Sequence, residues 1–167
     1  MMIGPVYSVS NLGPSTGGSV PTTMVQLKSG TNGAAEILRA SLTQGSNTTS
    51  TQCTAILNRK STAATVTAAT AGTNLFKQNG ANPTTDATLA TSGTGITGTV
   101  EGTNGEQPWM RGFNSLNGVE YLSSPEERIM VAQVSNTTYN VIGLTLANTA
   151  LSANWVADLK WRELRGA

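Results

Sequence analysis

The stretch WVADLKWR at residues 155–162 decides the fold, because large apolar side chains alternate in it with polar ones. Trp155, Leu159 and Trp161 fall on one face of an extended chain, and Asp158 and Lys160 fall on the other. A period of two over this length predicts a β-strand with one buried face. The opposite face carries both signs of charge, which is typical of a sheet face in water.

The same period recurs along the chain between turn segments rich in Gly, Asn and Ser. In the predicted strand within residues 35–43, Leu38, Ala40 and Leu42 are expected to share the core face. In the predicted strand within residues 51–60, Ile56 interrupts the alternation, so both faces of this strand are expected to be buried. The further predicted strands lie within residues 22–28, 35–43, 51–60, 64–67, 96–101, 119–122, 128–134 and 139–147.

This series of strands, without a convincing amphipathic helix, predicts an all-β chain folded as an antiparallel β-sandwich. The long central loop within residues 61–95 favours a jelly roll over an immunoglobulin sandwich, whose Cys…Trp…Cys pattern is missing. We expect an extended N-terminal arm, residues 1–21, followed by one β-sandwich domain, residues 22–167.

The composition removes several classes of function. The chain has no histidine, and only 11% of its residues are charged, with a net charge of +1. A serine or cysteine nucleophile activated by histidine is therefore excluded. Lys and Arg are scattered rather than gathered in a stripe, so we expect no nucleic-acid partner. Cys53 has no charged neighbour that would stabilise a thiolate, and we expect an inert core residue.

The remaining motifs do not predict a catalytic, cofactor or metal site. Glu126 and Glu127 are adjacent carboxylates, but neighbours on a strand point to opposite faces, so a solvated turn is expected. The glycine-rich segments 93–95 and 102–105 lack the context of a nucleotide site. No oxygen-rich Asp loop for calcium is present. No signal peptide is evident, and no apolar run is long enough to span a membrane. We expect no enzyme, no cofactor and no membrane partner.

Two segments that are nearly free of charge are candidates for contact with a partner. Residues 1–21 are read either as a disordered terminus or as an arm lying on a neighbouring subunit. If they are an arm, deletion of these residues should leave the fold intact. Residues 74–95 are a candidate contact loop, because long loops in compact domains are usually functional. The apolar anchors in these two segments are Ile3, Val6, Tyr7, Leu12, Leu75 and Phe76.

Trp109, Met110 and Phe113 form an apolar cluster with two interpretations. Trp, Met and Phe are enriched at interfaces, so Trp109 and Met110 are candidate partner-binding residues. A thin core also needs its aromatic residues, so the cluster can equally be core. Exposure of Trp109 in a groove would favour glycan binding, and burial would favour a structural role.

Five segments resemble small virion proteins of tailed bacteriophages. They are MVQLK (24–28), EILRA (36–40), GFNSLNG (112–118), PEERI (125–129) and WREL (161–164). The resemblance spans most of residues 22–164 and carries no catalytic motif.

The resemblance implies a β-sandwich capsid decoration or cement protein that binds the major capsid protein and stabilises the assembled head. Such proteins sit on the capsid surface as homo-oligomers, often trimers, after assembly in the host cytoplasm. The alternative is a tail or fibre module that binds a host surface glycan.

Overall fold

The computed structural model describes residues 4–15, 21–45, 49–79, 84–133, 139–147 and 153–165. This part of the chain contains thirteen β-strands and no helix, and the strands form two antiparallel sheets packed against each other. The predicted all-β sandwich is confirmed. The strands are β1 Val6–Ser15, β2 Thr22–Lys28, β3 Gly33–Gln44, β4 Gln52–Thr62, β5 Thr65–Ala68, β6 Leu75–Lys77, β7 Gly95–Val100, β8 Thr103–Asn104, β9 Trp109–Asn114, β10 Val119–Leu122, β11 Ile129–Val131, β12 Val141–Ala147 and β13 Ala153–Arg165.

The strand order is that of a jelly roll. The first sheet contains the order β1-β13-β3-β10, and the second contains the order β2-β12-β4-β9. The pairs β1·β13, β2·β12, β3·β10 and β4·β9 are nested in the chain, each pair enclosed by the one before it. A double-layered antiparallel barrel wound in this way is the jelly roll.

The segment between β4 and β9 is an insertion that adds strands to both sheets. β7 pairs with β2 and β5 pairs with β7, which widens the second sheet. β6 pairs with β1 and widens the first sheet at its edge, while β8 pairs with the end of β4. The predicted strand near residues 64–67 is therefore present, as β5. The other described residues of the predicted long loop do not project from the sandwich as a free loop.

The described part of the candidate contact loop is held against the sandwich. The backbone N–H of Thr88 donates to the Lys28 carbonyl oxygen at 3.1 Å, and Gln26 Nε2 donates to the Gly93 carbonyl oxygen at 2.7 Å. Asp86 accepts hydrogen bonds from the backbone N–H and the side-chain amide of Asn32. These bonds fix residues 84–94 over the β2–β3 turn.

The described residues of the predicted N-terminal arm form a strand of the sandwich. β1 lies inside the first sheet, with β13 on one side and β6 on the other. Its ten residues pair with β13 over their whole length, from Val6 opposite Arg162 to Ser15 opposite Ala153. Backbone groups in such a strand are satisfied only inside the sheet, so these residues belong to the folded domain.

A β-bulge changes the predicted core face of β3. Lys160 pairs with Arg39, whereas Trp161 pairs with Ile37, so Leu38 has no partner of its own in β13. The extra residue reverses the alternation. Ile37 is therefore fully buried and Leu38 only half-buried, while Ala40 and Leu42 are buried as predicted.

The core lies between the two sheets and is centred on β13. Trp155, Ala157, Leu159 and Trp161 have no exposed surface, which confirms the alternation of this strand. The Trp161 ring stacks on Tyr7, and the Trp155 ring meets Phe113 edge to face. Such aromatic pairs add stabilisation beyond the area that they bury.

The predictions for β4 hold for its apolar residues. Cys53, which has no disulfide partner, is buried as predicted, and Ala55 and Leu57 are buried on the same face. Ile56, on the other face, is buried as well, so this strand is covered on both sides as its interrupted pattern indicated.

Candidate functional site

Three of the predicted partner-binding residues lie on one surface. Val6 and Leu12 project from the same side of β1, since their positions differ by an even number. Phe76 of β6 is paired with Ser8 and so faces the same way. Leu12 is 81% exposed and Phe76 is 39% exposed, while Val6 is half-buried. Ile3 lies outside the described residues.

Two other predicted partner-binding residues are core residues. Tyr7 is stacked on Trp161, with ring centroids 5.9 Å apart, and is buried. Leu75 is also buried in the core. Both occupy the inward positions of strands whose neighbours point outward, so neither is available to a partner in this structure.

The Trp109, Met110 and Phe113 cluster is divided between the two faces of β9. Phe113 is buried against Trp155. Trp109 is half-buried and packs on the core, where its ring meets Tyr121 edge to face at 5.8 Å. Met110 points to the opposite face and is 59% exposed. The cluster is therefore mainly core, with Met110 as its surface member.

One candidate surface is the outward side of the first sheet, called here the outer face. Paired residues of adjacent strands point to the same side, so the register defines rows that cross the sheet. The first row runs Leu122, Arg39, Lys160, Ser8 and Phe76 across five strands. The second row is Glu120, Ser41, Asp158 and Ser10, and the third includes Thr43, Val156 and Leu12.

The outer face is electrically balanced and has apolar residues at its margins. Arg39 forms an ion pair with Glu120, and Ser10 Oγ donates to Asp158 Oδ1 at 2.6 Å. Leu122, at one margin, is 64% exposed, and Leu12 lies near the other. The outer face contains an open depression of about 460 Å³ lined by Arg39, Ser41 and Glu120, among others. The face extends well beyond this depression across five strands, so it suits a large partner.

A second candidate is a groove of about 450 Å³ where the two sheets meet beside β11. Its charged groups already bind one another. Arg59 pairs with Glu106 at 3.4 Å, donates to the Met130 carbonyl oxygen, and lies 5.4 Å from the centroid of the Tyr139 ring. These contacts satisfy the guanidinium and tie β4 to β11, so the groove offers little charge to a ligand.

A third candidate is a polar cluster on the outward side of the second sheet, called here the Lys60 cluster. Lys60 Nζ donates to the Glu101 carbonyl oxygen at 2.8 Å and to Asn104 Oδ1 at 2.9 Å, and it lies 3.5 Å from Glu101 Oε2. The Glu101 carboxylate also accepts the backbone N–H and the hydroxyl of Thr23. The Lys60 side chain has no exposed surface.

Burial lowers the pKa of Lys60 below its usual value of 10.5, and the Glu101 carboxylate partly opposes that shift. The sequence placed Lys60 on the face of β4 opposite Cys53, Ala55 and Leu57, because its position is out of phase with these residues. It is buried because the chain leaving β7 returns through residues 101–104 and covers it. The alternation of residues within β4 does not indicate which distant segment will cover Lys60, so this cluster could not be predicted from the sequence.

The acidic residues do not assemble into a recognisable centre in the described part of the chain. Glu126 and Glu127 are both exposed in the bend before β11, as predicted. Within the described ranges, no group of three or more His, Cys, Asp or Glu residues is placed to hold a metal ion. No helix long and apolar enough to cross a membrane occurs among these residues either.

The chain was compared with protein-family models, with curated proteins and with solved structures. No family model, no curated protein and no solved structure matches it. The resemblance to tailed-phage virion proteins therefore rests on the five segments quoted above and stays a prediction.

Proposed function

We propose that this chain is a structural protein of a tailed-bacteriophage virion, a decoration protein that binds the assembled head shell and stabilises it. The observation that carries the proposal is the outer face, a five-stranded surface with balanced charges and apolar margins. Jelly rolls are common among viral capsid domains, which supports the proposal as an analogy of fold. The resemblance of the five sequence segments points the same way.

The chemistry of the outer face fits docking onto a protein shell. Its cations Arg39, Lys160 and Arg162 are matched by the anions Glu120, Asp158 and Glu36, so binding would not depend on net charge. Leu12, Phe76 and Leu122 supply exposed apolar area, the usual source of affinity at interfaces. The proposed partner is the major capsid protein, and the proposed location is the capsid surface, with the chain bound there as a homo-oligomer such as a trimer.

Glycan binding is the weaker alternative for this chain. Sugar-binding sites usually offer an open aromatic face, and Trp109 was the sequence candidate for it. That ring is half-buried and packs on Tyr121, which leaves less of it for stacking on a sugar. This observation favours the head shell over a glycan.

The proposal is tested by sedimenting the purified chain with heads of the encoding phage that lack it. We expect the wild-type chain to sediment with the heads and a Leu12→Asp/Leu122→Asp variant to lose at least about tenfold in affinity, since buried charge is costly at an interface. The matched control is Val100→Asp/Leu116→Asp, because these residues are 63% and 52% exposed but lie outside the outer face. Equal loss in both variants, or binding to a glycan array but not to heads, would contradict the proposal.

A further inference from the structure

We propose that Lys60 and Asn104 form an intramolecular isopeptide bond, with Glu101 as the acid–base catalyst. The proposal is independent of the function proposed above. It rests on the Lys60 cluster, in which an amine, a carboxamide and a carboxylate meet at the junction of β4 and β8.

The reacting groups are within reach of each other. Lys60 and Asn104 are directly paired across β4 and β8, although they are 44 positions apart in sequence. Lys60 Nζ is 2.9 Å from Asn104 Oδ1, and the C=O bond adds about 1.2 Å, so Nζ is at most about 4 Å from Cγ. Groups held this close react as a single molecule, which removes most of the entropic cost of an encounter.

The surroundings of the amine favour its nucleophilic form. The Lys60 side chain is fully buried, and desolvation disfavours its charged state. Gly143 of the neighbouring strand β12 is paired with Asn58, and a Cβ added to it would come within 2.9 Å of the Lys60 Cε. The absence of a side chain at this position leaves room for the lysine under the returning chain.

Glu101 is placed to move the protons. Its Oε2 is 3.5 Å from Lys60 Nζ, and the hydroxyl of Thr23 holds the same oxygen at 2.6 Å. The Thr23 backbone N–H binds the other carboxylate oxygen, so the carboxylate is fixed from both sides. A positioned carboxyl group of this kind is a suitable general acid–base.

The reaction is a transamidation that needs no other reactant. Glu101 takes a proton from the Lys60 ammonium, and the neutral Nζ then attacks Asn104 Cγ to form the new C–N bond. Glu101 gives its proton to Nδ2 and takes the proton that the attack leaves on Nζ. The Cγ–Nδ2 bond breaks and ammonia leaves. Asn104 is exposed, so the ammonia can pass directly into solvent, and Glu101 finally loses its extra proton there.

A competing reaction at Asn104 also releases ammonia. In an Asn-Gly sequence the backbone nitrogen of the glycine can attack the side chain to form a succinimide. Here the Gly105 N–H donates to the Arg59 carbonyl oxygen at 2.7 Å, which holds that nitrogen in the β8–β4 connection. The structure therefore favours attack by Lys60, and the experiment must distinguish the two products.

The test is mass spectrometry of the full chain, purified and incubated under native conditions and then denatured. We expect a mass lower by one ammonia molecule than the sequence requires. Trypsin should not cut after Lys60, and it should release peptide 60–77 joined to peptide 78–111 through Lys60 and Asn104. An unlinked chain would instead give the free peptide 61–77.

Four variants separate the roles of the residues. Lys60→Met and Asn104→Ala should both keep the full mass, and Asn104→Ala serves if the buried Lys60→Met variant does not fold. Glu101→Gln should slow linkage at least about tenfold, whereas Glu106→Gln, a nearby carboxylate that binds Arg59 instead, should not change it. A full-mass wild-type chain with peptide 61–77 free after long incubation would overturn the proposal. Loss of ammonia that persists in Lys60→Met would also overturn it, since that result identifies the succinimide.

Discussion

Trp161 is a core residue that packs β13 against β1 in the first sheet. Its ring is fully buried and stacks on Tyr7 of β1. The strand that carries Trp161, β13, pairs with both β1 and β3. No hydrogen-bond partner for its indole N–H occurs among the described residues, so its contribution comes from packing. Buried aromatic residues of this kind account for much of the stability of a thin core.

We expect Trp161→Ala to lower the free energy of unfolding by about 3–5 kcal/mol, because it leaves a large cavity. Urea denaturation followed by circular dichroism measures this change. Leu122→Ala is the control, since that side chain is 64% exposed and its loss should cost less than about 0.5 kcal/mol. Similar midpoints for Trp161→Ala and the wild type would show that the ring is not part of the core.

Substitutions can test the β-bulge in β3. Ile37 is fully buried and Leu38 is the unpaired extra residue, although the period of two had placed Leu38 inward. We expect Ile37→Ala to cost about 2–4 kcal/mol of stability and Leu38→Ala less than about 1.5 kcal/mol. Paired denaturation curves of the two variants provide the measurement. The reverse order of stability would mean that β3 has no bulge and keeps the alternation seen in its sequence.

β1 is the element whose role differs most from the expectation. Removing residues 1–15 deletes a strand that pairs with β13 over ten residues and exposes the ring face of Trp161. We expect the truncated chain not to fold, in contrast to the behaviour of a detachable arm. Proton NMR of the truncated chain is the check, and a dispersed spectrum like that of the full chain would show that β1 is dispensable.

Elements were predicted from the sequence where their signal lies within a few consecutive residues, and features that depend on distant residues were missed. β10 and β2 were predicted to their ends, and the central residues 155–162 of β13 were predicted, because their alternation and flanking turns are contained within a few residues. The bulge at Leu38 was missed because it depends on the partner strand. The partners of Lys60 were not predicted because they come from residues 101–104, far along the chain. β1 was missed because charge-poor residues with Gly and Pro resemble a linker in composition.

At the scale of the whole molecule, the sequence predicted the fold better than the candidate site. Nested strand pairs brought Val6, Leu12 and Phe76 to the outer face but placed Tyr7 and Leu75 in the core. Composition identified apolar residues in charge-poor segments, but the side to which each one points depends on register. The outer face itself, assembled from five strands, could be recognised only once the strand order was known.

Balanced charge on the outer face has a consequence for binding. Because Arg39, Lys160 and Arg162 are offset by Glu120, Asp158 and Glu36, salt should have little net charge to screen. We expect the affinity for heads to change little between about 0.1 M and about 0.5 M sodium chloride, as measured by co-sedimentation isotherms. Release of the chain from heads by moderate salt would show that ion pairs, rather than apolar contacts, hold it.

The proposed function requires the chain to lie on the head and to bind it through the outer face. Cryo-electron microscopy of the virion of the encoding phage tests both points in one measurement. We expect jelly-roll density on the outside of the head, with the outer face of the first sheet turned toward the shell. Density for this chain on the tail, or on the head with the outer face turned to solvent, would contradict it.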